Sequence, residues 1–553
     1  MRKVLALGLA LAMLNPAILG AMPQSAENFQ TKTPIKHLVI IFQENVSFDH
    51  YFGTYPMATN PAGEPAFHAK DDTPTVNGLF AGGLLTSNPN FLNAANAPGN
   101  LNPFRLDRTQ AATTDQDHTY ADEQKAFHSG LMDLFPVSVG TAGPPPAGDT
   151  TKGEVMGYFD GNTVTAIWNY AQHFAMSDNS FDTTFGPSTP GALNVVSGQT
   201  NGLAFHNASA DSFATVADGN GNFSVIDDSD PLNDVCSGSA QVQMAGKNIG
   251  DLLSAANITW GFFEGGFDLT ITNTDGSTGC KRTTTSAVTS VKKVDYIAHH
   301  QPFQYYASTS NPTHARPTSV SMIGQNGDAG NHQYDIHDFF DAVSAGNFPA
   351  VSYLKAPGFQ DGHSGYSDPL DEQTFLVNTI NFLEKQEDWD NTAVIIAYDD
   401  SDGWYDHVLG PIVNQSSSVK DFLTGTGACG NGTTTALPGP LSAGKPVQGR
   451  CGYGPRMPFL VISPFAKHNF VDHSVTDLSS IVKFIEDNWL GGTRITGSFD
   501  AIAGSINNMF DFPWGWDGEG ERDRDGEHRD RERNRRLFLD PTTGQRVDDD
   551  DHN

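Results

Sequence analysis

The chain of 553 residues is short of positive charge. It contains 32 Lys and Arg residues against 64 Asp and Glu residues, which leaves a formal net charge of −32 with histidine counted neutral. Proteins that bind nucleic acids use basic faces to neutralise phosphates, so this composition argues against a DNA or RNA partner. It also argues against adhesion to an anionic membrane through a polybasic surface.

Long apolar runs are also missing. No segment reaches the roughly 18 consecutive apolar residues that cross a bilayer, so we predict no stable membrane anchor. A shorter run, VLALGLALAML, follows Arg2 and Lys3 at the N-terminus. A positive start followed by a short apolar stretch is typical of a secretory signal. We therefore predict a signal peptide over residues 1–21, cleaved after Ala21, and a secreted or periplasmic mature protein.

Cysteine is scarce, and its four residues form no Cys-x-x-Cys pair. They lie in regions rich in Gly, Ser and Thr, so we expect disulfides across surface loops in preference to a zinc site. Four cysteines allow three pairings. Nearness in sequence favours Cys236 with Cys280 and Cys429 with Cys451.

Charged residues make up only 17% of the chain, whereas hydrophobic residues make up 38% and aromatic residues 10%. These proportions exclude a disordered chain and predict a large core. Continuous apolar runs are typical of strands buried on both faces of a parallel sheet. Three strong runs and two weaker ones fit this pattern: HLVIIF (37–42), AVIIAY (393–398) and PFLVIS (458–463), then 258–263 and 350–354.

Helical periodicity appears between these runs, notably over 371–386 and 475–490. Alternating strands and helices predict a doubly wound α/β sandwich. We expect one catalytic domain over 34–516, with large loop insertions rich in Gly, Asn, Ser, Thr and Pro (54–115, 137–153, 201–248 and 409–450). Residues 517–553 are dominated by charges of both signs and predict a solvated, low-complexity C-terminal tail.

Polar side chains follow the two strongest runs directly. Glu44 and Asn45 come just after the first, and Asp399 and Asp400 follow the second. Ligands in open α/β sheets bind beyond the carboxyl ends of the strands. Three carboxylates and an amide oxygen at one sheet edge suit a divalent cation. The alternative is that these are solvated acids at the start of polar loops.

The segment FGPSTPGALNVVSG (185–198) predicts a helix with Ser188 at its start. Free N–H groups at a helix start favour an anion such as phosphate, and a hydroxyl there can act as a nucleophile. The alternative is an ordinary helix cap. Four histidines lie in polar or aromatic stretches and are candidates to contact a phosphate, although each alone is more often structural: His118, His299, His300 and His363.

Taken together, five blocks resemble the phosphoesterase family of bacterial phospholipases C and acid phosphatases. They occur in the family's order between about Lys36 and residue 463: 37–56, 185–194, 299–306, 361–369 and 397–408. The resemblance implies an alkaline-phosphatase-like, three-layer α/β/α sandwich with a mostly parallel central sheet. It also implies hydrolysis of phosphoric esters through a phosphoserine intermediate.

The resemblance assigns roles residue by residue. It implies Ser188 as nucleophile, and one divalent metal held by Glu44, Asn45, Asp399 and Asp400. His118, His299, His300 and His363 would line the phosphate pocket, and we expect His363 to protonate the departing alcohol. The sequence Pro190-Gly191-Ala192 is similar to the acid phosphatase branch. Protonated histidines would give an acidic working pH.

Two other functions stay open. A phospholipase C could build a headgroup pocket from the loops at 201–248 and 409–450. A secreted calcium-binding or adhesion protein would explain acid-rich stretches such as 218–230, but not the Ser188 block or the paired histidines. The expected partner is a phosphate monoester or a phospholipid substrate, and no oligomeric state is predicted.

Overall fold

The computed structural model describes residues 24–144, 151–207, 213–423, 429, 437–442, 444–512 and 536–547. The predicted signal peptide (1–21) and most of the predicted tail (517–553) lie outside these residues. Within the described ranges, no helix is both long enough and apolar enough to span a bilayer.

A mixed sheet of eight strands forms the centre of the molecule. In chain order its strands are β1 (His37–Gln43), β2 (Ala175–Ser177), β3 (Trp260–Glu264), β4 (Gln333–Asp335), β5 (Val351–Lys355), β6 (Thr392–Tyr398), β7 (Phe459–Ile462) and β8 (Phe470–Asp472). Across the sheet they follow the order β4-β3-β5-β1-β6-β7-β2-β8. All five predicted apolar runs therefore contribute strands. The longest strands lie at the centre and are buried along their whole length.

One strand differs in direction from the expectation. The run at 458–463 was predicted to belong to a parallel sheet, but β7 pairs antiparallel with both β6 and β2. The prediction of a buried strand was right and the direction was wrong. Burial on both faces produces the same continuous apolar run whichever way a strand points, so the pattern does not encode direction.

Ten α-helices are defined in the described ranges. They are α1 (Phe48–Phe52), α2 (Pro89–Leu92), α3 (Tyr120–Phe127), α4 (Phe135–Ser138), α5 (Thr165–His173), α6 (Ser188–Ser197), α7 (Ile249–Ala255), α8 (Ile336–Ser344), α9 (Pro369–Glu384) and α10 (Ser479–Trp489). The two predicted helices correspond to α9 and α10. Asp368 caps α9 by accepting hydrogen bonds from the N–H groups of Leu370 and Asp371.

Short strand pairs surround the central sheet, and those at 203–244 and 441–446 lie within predicted insertions. Leu203–His206, Gln241–Met244 and Asp230–Pro231 make a three-stranded sheet. Two-stranded pairs join Thr215–Ala217 to Phe223–Val225, Thr283–Thr285 to Lys292–Val294, Phe104–Arg105 to Gly157–Tyr158, Ser180–Phe181 to Thr476–Asp477 and Leu441–Ser442 to Lys445–Pro446. The disulfides Cys236–Cys280 and Cys429–Cys451 are present, as sequence proximity favoured.

Part of the predicted tail is packed against the domain. In the segment 536–547, Leu537 and Leu539 are buried in the main core. The Leu537 N–H donates to Glu384 Oε1 at 2.9 Å, and Asn381 Nδ2 donates to the Leu539 carbonyl at 2.8 Å. The expectation of a solvated tail is therefore wrong for these residues. The apolar pair is too short to stand out beside so many charges.

Candidate active site

The register of β1 and β6 brings the predicted strand-end residues together. These strands are parallel neighbours with Gln43 paired to Tyr398, so Glu44 and Asp399 each come one residue later at the same edge. The Asn45 N–H donates to Asp399 Oδ1 at 3.0 Å. Asn45 has a φ of 58°, in the left-handed region, which turns the chain sharply after the strand. Glu44, Asn45, Asp399 and Asp400 are all buried.

Ser188 lies at the first residue of α6, as predicted. Its hydroxyl is 3.0 Å from Glu44 Oε2 and 3.2 Å from Asp400 Oδ2, so it contacts carboxylates from both strand ends. Gly191, one turn into the helix, lies so close to Asp399 that an added Cβ would sit 2.1 Å from its carbonyl oxygen. A glycine at this position therefore lets α6 approach the sheet edge and bring Ser188 to the carboxylates.

Lys355 completes the cluster, and the sequence interpretation missed it. It ends β5, the strand on the other side of β1, and is fully buried. Its ammonium contacts Glu44 Oε1 and lies 3.5 Å from Asp399 Oδ2. Lys355 ends a buried strand, so it occupies a place equivalent to that of Glu44. The apolar run of its strand is one of the weaker ones, which marks the strand end less clearly.

One lysine does not neutralise three buried carboxylates. Burial, reinforced by Asp399, raises the pKa of Glu44 well above its usual value. Burial also raises the pKa of Asp400 well above its usual value, although His118 opposes this. For Asp399, Lys355 and hydrogen bonds outweigh burial and keep the pKa below its usual value. The cluster therefore has more carboxylates than local positive charge can keep ionised.

The donor types, three carboxylates and an amide oxygen, are those of a divalent-cation site. Glu44, Asp399 and Asp400 are, however, not among the groups in the described residues whose ligand atoms all lie within 4.8 Å of one another. The Asn45 amide nitrogen contacts His118 Nε2 and Asp402 Oδ1, each at 3.3 Å. Its buried Oδ1 has no hydrogen-bond partner in the described part of the chain. A buried, unpaired amide oxygen beside three carboxylates is what a hard cation would use. Glu44, Asn45, Asp399 and Asp400 are thus the residues that could hold one.

All four predicted histidines lie near this cluster. His300 Nδ1 is 3.2 Å from Glu44 Oε1, and the His299 ring lies 4.6 Å from that of His300. His118 and His363 meet edge to face with ring centres 6.0 Å apart. His118 Nδ1 also lies 3.4 Å from Asp402 Oδ1. Asp115 and Asp402 approach both of these imidazoles closely enough to form a second possible ligand group.

Their environments divide the histidines into two pairs. Burial lowers the pKa of His300 and of His363 well below the usual value, with further lowering from His299 and His118 respectively. For His118, burial is outweighed by Asp400 and Asp402, and the pKa is raised well above the usual value. For His299, Asp228 and Asp230 outweigh burial and raise the pKa.

This division argues against the role expected of His363. Its Nδ1 lies 2.6 Å from the carbonyl oxygen of Ser364, which can only accept, so Nδ1 carries the hydrogen. Burial lowers the pKa of His363 well below its usual value, which disfavours a second proton on Nε2. This environment favours a proton acceptor over a proton donor at His363. His118 and His299 are the imidazoles whose surroundings favour the charged form.

The wall of the site includes further residues that the sequence did not single out. Tyr366 stacks on His363 at 4.3 Å between ring centres and donates to Asp361 Oδ2 at 3.1 Å. The Lys293 ammonium lies 3.5 Å from the centre of the Tyr366 ring. On another side, Asp228 Oδ1 accepts the Thr189 N–H at 3.0 Å, beside Ser188.

Two acids of the stretch 218–230 make backbone contacts. Asp218 Oδ1 accepts the N–H groups of Asn220 and Asn222 at 2.7 and 2.9 Å, and so closes a hairpin turn. Asp228 Oδ1 accepts the Thr189 N–H at the start of α6. Asp218 therefore serves the turn, and Asp228 serves the wall of the candidate site.

Comparison with known proteins finds relatives that are named as bacterial phospholipases C. A non-hemolytic phospholipase C of Pseudomonas aeruginosa is 23% identical over 486 residues, covering 86% of this chain and 57% of that protein. A non-hemolytic phospholipase C of Burkholderia pseudomallei is 24% identical, covering 91% of this chain and 63% of that protein. Phospholipase C A of Mycobacterium tuberculosis is 24% identical, covering 87% and 78% respectively.

The chain thus spans about three-fifths of the length of the first two relatives. The model of the phosphoesterase family matches residues 35–490, a range that includes every strand of the central sheet and every residue of the carboxylate cluster. The chain belongs to the phosphoesterase family.

Proposed function

We propose that this protein hydrolyses phosphoric esters through a phosphoserine formed on Ser188. The observation that carries the proposal is the position of the Ser188 hydroxyl. It sits at the start of α6, buried, within 3.2 Å of carboxylates from two strand ends. A helix start favours phosphate, and a hydroxyl beside carboxylates can lose its proton as it attacks.

The chemistry divides into two displacements. Ser188 Oγ forms a bond to phosphorus while the ester P–O bond breaks, and an imidazolium gives its proton to the departing alcohol. His118 and His299 suit that role because acidic neighbours raise their pKa. Water then attacks the phosphoserine and gives a proton to His363, whose lowered pKa suits a base. The bond between phosphorus and Ser188 Oγ breaks, phosphate leaves, and Ser188 regains the proton that it gave to the neighbouring carboxylates.

A divalent cation is part of the proposal. Glu44, Asn45, Asp399 and Asp400 would hold it, and when bound it would supply positive charge that stabilises the Ser188 alkoxide and the phosphoryl oxygens. Its presence would also offset the charge that the three carboxylates crowd into one buried site. Positioning and charge stabilisation are the main demands of phosphoryl transfer.

For the substrate, we propose a phosphate monoester, as in the acid phosphatase branch that Pro190-Gly191-Ala192 resembles. We also propose a secreted or periplasmic location.

The layering would be α/β/α, as in alkaline phosphatase. Tyr353 on β5 donates to the Val195 carbonyl of α6, and Tyr398 on β6 donates to Glu372 of α9. On β1, Tyr353 pairs with Ile40 and Tyr398 pairs with Gln43. Residues 40 and 43 are separated by an odd number of positions, so their side chains point to opposite faces of the sheet. This supports α6 and α9 on opposite faces.

One surface feature favours a phospholipase C instead. A pocket of about 380 Å³ is lined by α3 and by parts of both insertions considered for a headgroup. Phe213, Val419 and Phe422 are exposed there, beside Lys125 and Lys420. Asp227 lines it too, and the next residue, Asp228, contacts Thr189. Apolar side chains with nearby ammonium groups suit a phospholipid.

The central test is Ser188→Ala. Turnover of p-nitrophenyl phosphate should fall by roughly 10⁴-fold or more, with an unchanged melting temperature. In the wild-type protein, brief reaction with a ³²P-labelled ester followed by acid quenching should label Ser188. Near-normal activity in the variant, or label on another residue, would remove Ser188 as the nucleophile.

The choice of substrate is tested separately. Hydrolysis of p-nitrophenyl phosphate and of phosphatidylcholine should be compared in the wild type and in Phe422→Asp. A monoesterase acts on the first substrate and is indifferent to the substitution. A phospholipase C hydrolyses phosphatidylcholine and loses that activity selectively in the variant.

A further inference from the structure

A second cluster of ligand-type side chains lies at the opposite edge of the sheet. His37 is the first residue of β1, so it is about 20 Å from the candidate active site at 3.3 Å per residue. Glu27 comes from the short helix Ala26–Asn28, and Asp388 from the turn Glu387–Asn391 that precedes β6. Three separate segments therefore deliver one imidazole and two carboxylates to one place.

The hydrogen bonding of His37 fixes the direction of its lone pair. Nδ1 lies 3.0 Å from the carbonyl oxygen of Pro349, which can only accept, so Nδ1 must carry a hydrogen. With Nδ1 as the donor, Nε2 is the ring atom that can offer a lone pair to a metal ion. That atom is buried and has no hydrogen-bond partner in the described ranges. The ring stacks on Phe348 at 4.0 Å, which holds its orientation.

The His37 Nε2 lone pair faces two acids. Nε2 is 3.5 Å from Glu27 Oε1 and 4.0 Å from Asp388 Oδ1. A lone pair pointed at carboxylates is repelled unless a positive centre lies between them. Zinc bonds of about 2.0–2.1 Å in a tetrahedron separate the ligand atoms by about 3.3 Å. The Nε2–Glu27 distance is close to that value, the Nε2–Asp388 distance is longer, and all three ligand atoms lie within 4.8 Å of one another.

The supporting contact of His37 is also the usual one for a metal-binding imidazole, which donates its other N–H to a backbone carbonyl or a carboxylate. The Glu27 and Asp388 side chains are 45% and 36% exposed, so an ion can enter from solvent. The Lys36 ammonium donates to the Phe29 carbonyl at 2.6 Å, and it contributes less than His37 and Asn391 to the lowered pKa of Glu27.

We propose that His37, Glu27 and Asp388 bind a second divalent cation of the zinc type. The ion joins the N-terminal segment 24–36 to the base of β1 and to the turn before β6. Its role is structural, because the site lies at the end of the strands opposite to Ser188. The inference is independent of the proposed catalytic function.

The test is the metal content of the intact protein. Wild type and His37→Asn are incubated with zinc chloride, desalted, and measured for zinc per chain by mass spectrometry. Wild type should hold one more ion than His37→Asn, whatever the carboxylate cluster binds. Hydrolysis of p-nitrophenyl phosphate should be the same in both.

A second variant and a control protect the result from misfolding. Glu27→Gln with Asp388→Asn changes partly exposed side chains and should lose the same ion. His68→Asn removes an exposed histidine and should lose none. Zinc should also raise the melting temperature of wild type more than that of either site variant. Equal zinc content in wild type and both site variants would overturn the proposal and leave His37 as an imidazolium paired with Glu27.

Discussion

Two clusters of buried acids follow strands β1 and β6, and they differ in how much positive charge lies beside them. After β1, Glu44 belongs to the first cluster and Asp49 to the second. After β6, Asp400 belongs to the first cluster and Asp406 to the second. The second cluster surrounds Arg456, whose guanidinium donates to Asp49 Oδ1 and Asp406 Oδ2 at 3.1 Å. The same guanidinium also donates to the carbonyl groups of Asn77 and Asp178 and lies over Phe48.

The difference separates a structural ion-pair network from a reactive site. Arg456 uses its donors fully, and Asp49 Oδ2 also accepts His407 Nδ1 at 2.6 Å. In the described part of the chain, the first cluster has Lys355, with His118 acting on Asp400, against Glu44, Asp399 and Asp400, and it leaves an amide oxygen unpaired. A buried acid cluster therefore indicates function when its charge is left uncompensated, and structure when a cation already fills it.

Among changes within the two acid clusters, Asp400→Asn should have the largest effect on activity. Turnover should fall by roughly 10³-fold or more, because the substitution removes a carboxylate that contacts Ser188 and would hold the cation. Initial rates with p-nitrophenyl phosphate, measured with and without added divalent ions, check this. Full activity in the variant would contradict the proposed ligand set.

Arg456→Met should have the largest effect on stability. Asp49 and Asp406 would stay buried without their cation, which costs about 3–5 kcal/mol in the free energy of unfolding. Urea denaturation measures the loss. Arg456→Lys is the matched control, since it keeps the charge but not the forked geometry, and it should lose less. A loss below about 1 kcal/mol in the Met variant would show that the network is not structural.

In the metal-free protein, Asp400→Asn should act in the opposite direction and stabilise the fold. Burial holds the pKa of Asp400 well above its usual value, so its ionised form is unfavourable in the native state. A neutral amide removes that cost, and we expect a gain of about 1–2 kcal/mol at pH 8 in EDTA. Urea denaturation of both proteins checks the sign. A destabilised variant would mean that the cluster is already compensated without a cation.

The sequence predicted the strand ends of the first cluster because burial and position are both local. HLVIIF and AVIIAY are continuous apolar runs, and the acids follow them directly. Ser188 was predicted from a local pattern too, a helix start before an apolar stretch. Lys355 was missed because the run before it is weaker, although it occupies an equivalent place on β5.

The second cluster and the protonation of the histidines could not be predicted in this way. Arg456 meets Asp49 across 407 residues of chain, and no local pattern pairs them. The pKa of His118 depends on burial and on Asp400 and Asp402, which lie far along the chain. His363 appears similar in sequence, yet its surroundings shift its pKa in the opposite direction. The antiparallel direction of β7 could not be predicted either, since a buried strand gives the same apolar run in both directions.

Glu372 shows a third way to bury an acid, namely protonation. On α9 its carboxyl oxygens accept the hydroxyl groups of Tyr51 and Tyr398 at 2.8 and 2.6 Å. Burial raises its pKa from 4.5 to about 8. An acid whose pKa is raised in the folded state binds more protons when folded. Its contribution to stability is therefore complete below pH 4.5 and is lost as the pH rises through about 8.

Glu372→Gln should abolish that dependence, because the amide imitates the protonated acid at every pH. Between pH 6 and 7, wild type should lose up to about 1.4 kcal/mol relative to the variant. Urea denaturation of both proteins at the two pH values gives this difference, and titrations common to both cancel. The Gln variant should be the more stable of the two above pH 7. If the two proteins respond equally to pH, Glu372 is ionised in the folded state. Its two tyrosines would then stabilise a buried carboxylate without a cation, which would distinguish it from the carboxylates around Ser188.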